Sequence, residues 1–363
     1  MQRDAYMDNA RLALIFLVVF GHVIQPMVSE SKAIETLYLW IYFFHMPAFI
    51  FLAGFFAKGL GDFTYIAKLA KKLLYPYLFF QLFYTAYFFF IDKIDWYNTL
   101  FYPQWALWFL LSLFCWHILL LLYKRISPLI GIMTAILVGI FIGYMSDIGH
   151  MFSLSRTFVF FPFFLIGYWV KKEHLALLKT KAVRLTGIGI LLLAAIGLAI
   201  SPSFSVGWLL ESKSYATLNM PVYGGFIRLG VYILGFAMSV SVFAFIPKKQ
   251  FRWTSLGQRT LYVYLLHGIF IWLFRTTDLI QVDNLLDLLG AGVVSLTIVF
   301  VLSNKWVVGI WQPVVEGKLT FWKELLKRNK KVNSAMNDRM NKKGTNTFPQ
   351  KTGSTVNHNY YTR

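Results

Sequence analysis

The chain has 363 residues, of which 58% are hydrophobic and 19% aromatic but only 14% charged, against about 25% charged in ordinary soluble domains. A water-soluble protein of this size cannot hide 36 Phe, 20 Tyr and 12 Trp behind so few charges, so part of its solvent must be lipid. The formal net charge of +19 points to nucleic acid, anionic lipid or membrane orientation, and the single Cys115 excludes an internal disulfide and a multi-cysteine metal site.

Apolar stretches of bilayer-crossing length predict an all-α, polytopic membrane helix bundle of about ten spans. These lie at 10–29, 35–57, 74–92, 105–123, 128–146, 156–170, 183–200, 224–246, 259–275 and 287–312. The first span is expected to remain in the mature protein, since Asp4 and Asp8 occupy what would be a positive leader and no small-residue cleavage site follows Gly21.

It also carries a polar stripe. Asp4, Asp8, Arg11, His22 and Gln25 share one side of the helix, and Arg11 and His22 are three turns, roughly 16 Å, apart. A guanidinium at the boundary suits phosphate and an imidazole in the interior suits proton transfer. The plainer alternative is that Arg11 snorkels to lipid headgroups while His22 bonds a neighbouring helix.

The second span places Tyr38, Tyr42 and His45 on one face, with Pro47 removing a backbone donor beside the histidine. In the fourth, Trp105 and Trp108 read as an interfacial aromatic belt, and His117 beside Cys115 and Trp116 reads as structural. The ninth follows Gln258 and Arg259 and repeats the second's arrangement with Thr260, Tyr264 and His267. For His45 and His267, structural and catalytic roles both stand. An ionisable group inside a span costs about 2.5–3.5 kcal/mol on insertion scales, which makes each of these histidines a functional candidate.

The loops after the second, fourth, sixth and eighth spans hold 15 Lys and Arg. Basic residues accumulate in cytoplasmic loops, so both termini are expected in the cytoplasm. The chain divides into a membrane domain over 1–315 and a basic cytoplasmic tail over 316–363. Leu319–Lys327 is expected as an amphipathic helix on anionic lipid, followed by disorder. Topology and tail absorb the positive charge, which argues against nucleic-acid binding. No P-loop, dinucleotide fingerprint or metal-ligand spacing is present in the sequence. From the residues alone, the midplane histidines also suit a transporter or flippase.

Several segments carry a resemblance. Arg3, Asp8 and Arg11-x10-His22 resemble the opening signature of the acyltransferase-3 family of integral membrane acyltransferases. Phe43–Phe56 (FFHMPAFIFLAGFF) resembles its second-span motif, most closely in the fucose-O-acetylase-like and surface-polysaccharide branch, with Ala53 where the family usually has Ser. Leu107–Phe114, Phe160–Tyr168 and Leu256–His267 follow in the family's order.

The resemblance implies a stand-alone enzyme over about residues 1–315, in the plasma membrane of a bacterium. Its donor would be acetyl-CoA or another cytosolic acyl-CoA, with no permanently bound cofactor and no metal. Its acceptor would be a hydroxyl of an exported or cell-surface glycan or lipid-linked sugar. Arg11 and His22 carry over as the essential pair, Arg11 toward the donor's phosphates and His22 as general base or acyl relay. Asp8, Gln25, Tyr42, His45, Tyr264 and His267 would line the same cavity.

Overall fold

The computed structural model describes residues 4–58, 63–91, 102–146, 151–202, 204–277, 279–282 and 284–327. Among them there is no strand. Apolar runs long enough to cross lipid must satisfy their backbone within the segment, and the helix does so.

The helices are α1 (Ala5–Ile24), α2 (Lys32–Phe56), α3 (Phe63–Phe90), α4 (Trp108–Tyr123), α5 (Pro128–Ile142), α6 (Leu154–Trp169) and α7 (Lys172–Leu177). They continue with α8 (Lys181–Ile200), α9 (Gly207–Leu210), α10 (Gly224–Phe245), α11 (Thr260–Thr277), α12 (Leu285–Leu302) and α13 (Lys305–Glu316). Among the described residues seven segments are long and apolar enough to cross a membrane: α1 with its 3-10 extension to Ser29, α2, α3, α4 with the 3-10 turn that precedes it from Trp105, α8, α10 and α12. The apolar α5 and α6 are shorter. Residues 1–317 form one compact unit. In the second unit, 318–363, residues 320–327 are helical, and the expected disorder from residue 329 onward lies outside the described residues.

Local sequence sets the ends. Asp4 caps α1 by accepting from the Tyr6 amide at 3.1 Å, and Asn284 caps α12 by accepting from Leu286 and Asp287 at 2.8 and 3.0 Å. The expected tenth span, 287–312, is corrected by the break between α12 and α13. The first helix stops at Leu302, and Asn304 starts the second by accepting from the Trp306 amide at 3.0 Å. Trp311 of α13 then packs on Phe80 of α3 at 5.6 Å between ring centroids.

Among the helices of membrane-crossing length α2 has the most buried apolar window, and it packs on α6, α10, α1 and α8. Glycine makes its crossing with α6 possible. A Cβ on Gly54 would stand 2.0 Å from the Phe164 carbonyl oxygen, and one on Gly167 would stand 2.0 Å from that of Phe51; such small-residue contacts let membrane helices approach closely. α2 continues through Pro47. Pro47 lacks the amide that would bond the Phe43 carbonyl, and that carbonyl lies against Gly235 of α10. The outward faces of α5, α8 and α12 are apolar and exposed, as at Leu137, Leu193 and Leu289, which fits lipid contact.

At one end of the bundle, basic side chains close helix C-termini. Lys58 donates to the Val170 carbonyl after α6, and Lys179 donates to Phe243, Ala244 and Ile246 at the end of α10. Arg259 donates to Ser303 after α12 at 2.6 Å. A cation there satisfies orphan carbonyls and meets the negative end of the helix dipole. Asn9 joins the same end by donating to the Pro247 and Lys249 carbonyls, both at 2.9 Å. We call it the basic end.

Candidate active site

Three spaces line up along α1 and share lining residues. The first, of about 320 Å³ at the basic end, is lined by Arg11, Lys72, Tyr65, His117, Phe49 and Tyr264, among others. It holds two cations, and no carboxylate is among its lining residues. A narrow void of about 40 Å³ follows, bounded by Phe49, Phe109 and Tyr264 of the first space together with Met46, Trp108 and His22. Beyond it a third space of about 410 Å³ is lined by His22, Gln25, Trp272 and Arg275. His22 borders both the neck and the distal cavity.

Arg11 stands 3.5 Å from Asp8 and over the Phe56 ring at 4.0 Å. Asp8 is buried and also accepts from Gln258 at 3.0 Å, which ties α1 to the turn before α11. That turn comes close because residue 257 is glycine: a Cβ there would be 1.9 Å from the Asp8 carbonyl oxygen.

His22 is held by side chains. Its Nδ1 is 3.4 Å from Gln25 Oε1 and 3.3 Å from the Tyr42 hydroxyl. Its ring lies 4.6 Å from Trp105 and 5.6 Å from His267. The other three histidines expected within spans differ, because each bonds through Nδ1 to the carbonyl four residues back in its own helix: His45 to Ile41 at 2.9 Å, His117 to Leu113 at 2.8 Å and His267 to Val263 at 3.1 Å, with His267 also 2.7 Å from the Tyr264 carbonyl oxygen. His267 Nε2 is buried without a partner. His45 sits behind Tyr42 at 4.5 Å, and of the residues expected to line the cavity Gln25 and Tyr264 border these spaces while Asp8, Tyr42, His45 and His267 do not.

The two tryptophans expected in an interfacial belt turn inward. Trp105 wedges between His22 and His267, at 4.6 and 4.9 Å, where Gly268 leaves room for its ring. Trp108 lines the neck. The segment before α4 is anchored to α3, since the Gln104 amide donates to Gln81 Oε1 at 2.9 Å and Gln81 donates to the Tyr102 carbonyl at 2.9 Å. Tyr264 contributes by donating to the Ala106 carbonyl.

Reading by periodicity missed Arg275, Trp105 and Lys72 and left His117 outside the site. Arg275 follows His267 by eight residues, just over two helical turns, and that spacing was the available signal. For Trp105 and Lys72 no local pattern existed.

A bundle that is all-helical among the described residues, with exposed apolar outward faces and neighbouring cavities that share a histidine as lining residue, has the character of a multi-pass membrane enzyme. Residues 4–304 match the model of the acyltransferase-3 family, described as an acyltransferase domain, and the chain belongs to that family; it is a membrane acyltransferase. Among curated proteins it is similar to the nodulation protein NolL of Sinorhizobium fredii (strain NBRC 101917 / NGR234), with 27% identity over 316 residues, 78% of this chain and 82% of that protein. A shorter stretch of 84 residues, 21% of this chain and 22% of the relative, is 33% identical to the nodulation protein NolL of Mesorhizobium japonicum (strain LMG 29417 / CECT 9101 / MAFF 303099). No solved structure matches the chain.

Proposed function

We propose that this acyltransferase moves an acetyl group from acetyl-CoA, held at the basic end, to a hydroxyl of an exported or cell-surface glycan or lipid-linked sugar, held in the distal cavity. The observation that carries the reading is the position of His22, which lines both the neck and that cavity. The basic end faces the cytosol in this reading, as basic-loop bias favours. The enzyme then sits in a bacterial plasma membrane, which fits the bacterial sources of the similar proteins.

Arg11 and Lys72, in a cavity lined by no carboxylate, suit the phosphates of coenzyme A. The neck favours a small acyl group. Its volume of about 40 Å³ is an eighth of the about 320 Å³ of the space at the basic end. The distal cavity offers Gln25 and Arg275 as polar contacts beside His22.

In the direct route His22 Nε2 takes the acceptor hydroxyl's proton as that oxygen attacks the thioester carbonyl carbon. The C–S bond breaks, and the proton passes to the departing sulfur to give the free thiol. In the relay route Nε2 first forms a C–N bond to the acyl carbon as the C–S bond breaks, leaving an acyl-imidazolium and the donor thiolate. The acceptor oxygen then attacks the acyl carbon, the C–N bond breaks and the hydroxyl proton passes to the thiolate, so that the imidazole ends as it began. In purified membranes, His22→Ala is expected to abolish transfer to surface glycan without lowering expression, and full activity would overturn the assignment. An acyl group trapped on His22 would select the relay; its absence in a competent donor-bound enzyme would select direct transfer.

A further inference from the structure

We propose that Arg275 is a positioning residue: acting through Gln25, it holds His22 in the tautomer with hydrogen on Nδ1 and leaves the Nε2 lone pair for the transfer. This rests on the reading of His22 as the residue of transfer.

Arg275 Nη2 lies 2.7 Å from the Gln25 side-chain oxygen and 3.2 Å from the His22 carbonyl oxygen. A guanidinium can only donate, so the Gln25 amide must turn its oxygen toward Arg275. That same oxygen is the atom 3.4 Å from His22 Nδ1. An oxygen facing a ring nitrogen is favourable only if the nitrogen carries hydrogen; a lone pair on Nδ1 would face a lone pair on oxygen. With Nδ1 protonated, the Tyr42 hydroxyl oxygen at 3.3 Å becomes a second acceptor for the same hydrogen. The neutral ring then has its free lone pair on Nε2.

Removing Arg275 frees Gln25 to rotate its amide and present the NH2 group to Nδ1. That stabilises the opposite tautomer, with hydrogen on Nε2, in which the ring can neither accept a proton there nor attack a carbonyl. The guanidinium is itself held in place, since Arg275 comes from α11 and lies over the Trp272 ring at 5.1 Å. His267 needs no such lock, because backbone carbonyls already fix its Nδ1 hydrogen.

The test uses the full chain in lipid nanodiscs, with ¹⁵N-labelled histidine rings and His22→Asn to assign the His22 signals. Wild type is expected to show His22 as the Nδ1–H form. Arg275→Met is expected to move it largely to the Nε2–H form and Gln25→Ala to leave a mixture of the two forms. Arg275→Met should lower kcat by about 10²- to 10⁴-fold, the range of lost acid–base catalysis and of a wrong tautomer, with a smaller loss in Gln25→Ala. Donor and acceptor KM should change less than about threefold, and the double variant should be no slower than the slower single.

Arg275→Lys retains a donor to Gln25 and should keep the wild-type tautomer. If Arg275→Met fails to fold, Gln25→Ala carries the test, since it leaves the bond from Arg275 to the His22 carbonyl in place. An unchanged His22 tautomer in a folded Arg275→Met or Gln25→Ala enzyme overturns the proposal. So does a raised acceptor KM at unchanged kcat, which would make Arg275 an acceptor-binding residue. Activity surviving in His22→Ala would instead defeat the functional reading, while the spectra would still judge the lock.

Discussion

Replacing Phe49 with alanine should widen the range of acyl groups the enzyme accepts. Its ring borders both the cavity of about 320 Å³ and the neck of about 40 Å³, and meets Phe109 edge-on at 5.8 Å. The substitution removes six ring carbons from a wall that the two spaces share, so the neck of about 40 Å³ widens. A butyryl group exceeds acetyl by two methylenes, and each methylene a pocket rejects or admits is worth about 1–3 kcal/mol. Wild type should therefore prefer acetyl over butyryl by about 100-fold or more, and Phe49→Ala should shift the ratio toward butyryl by at least about 10-fold. The check is competition between equimolar acetyl- and butyryl-CoA with one acceptor preparation, reading product esters by mass. Phe49 is only half-buried, so the stability cost should fall below the about 3–5 kcal/mol of a fully buried Phe→Ala change, and Phe49→Leu offers a milder step. An unchanged ratio in a folded variant would show that the neck does not gate the acyl group.

Gly257→Ala places a methyl 1.9 Å from a backbone oxygen of α1, so helix and turn must separate and the Gln258–Asp8 bond must stretch. The expected result is about 1–3 kcal/mol lower stability with a higher donor KM; normal values of both would refute the coupling of that turn to Arg11. Arg228→Met strips the ion-pair partner from Glu211, a pair buried on both sides, and should cost about 3–5 kcal/mol. Adding Glu211→Gln should restore part of it in a thermal-shift assay, and no recovery would mean that the arginine acts through packing on Trp208 instead.

Helical periodicity made the α1 stripe legible, because Asp8, Arg11, His22 and Gln25 need only one regular helix to fall on one side. The break at Ser303–Asn304 was not, since hydropathy runs on through Trp306, Val307 and Val308 and the turn is set by an Asn cap with Trp311 packed on α3. Trp105 was misread for a related reason. Tryptophan near a span end is ordinarily an interfacial anchor, and its turn toward His22 depends on Gln81 and Gly268, residues distant in sequence. The basic loops were read as topology alone, yet Lys58, Lys179 and Arg259 also cap helix ends. A charge that sets orientation and one that closes a helix look the same until the partner carbonyl is seen.

The four interior histidines look alike in sequence, and their partners separate them. A ring nitrogen bonded to the carbonyl four residues back lowers the cost of burying the imidazole and needs nothing from other helices. His45 is the clearest such case, buried, bonded to Ile41 at 2.9 Å and absent from the linings of the three spaces along α1. His45→Asn should therefore keep kcat within about threefold while losing about 1 kcal/mol of stability, the worth of one hydrogen bond. His22→Asn should lose about 10²- to 10⁴-fold in kcat, the contribution of a positioned acid–base group. Rates and thermal stabilities measured side by side in nanodiscs decide the matter. A folded His45→Asn enzyme as slow as His22→Asn would mean that His45 acts on the reaction through Tyr42, and that a backbone partner does not mark a histidine as structural.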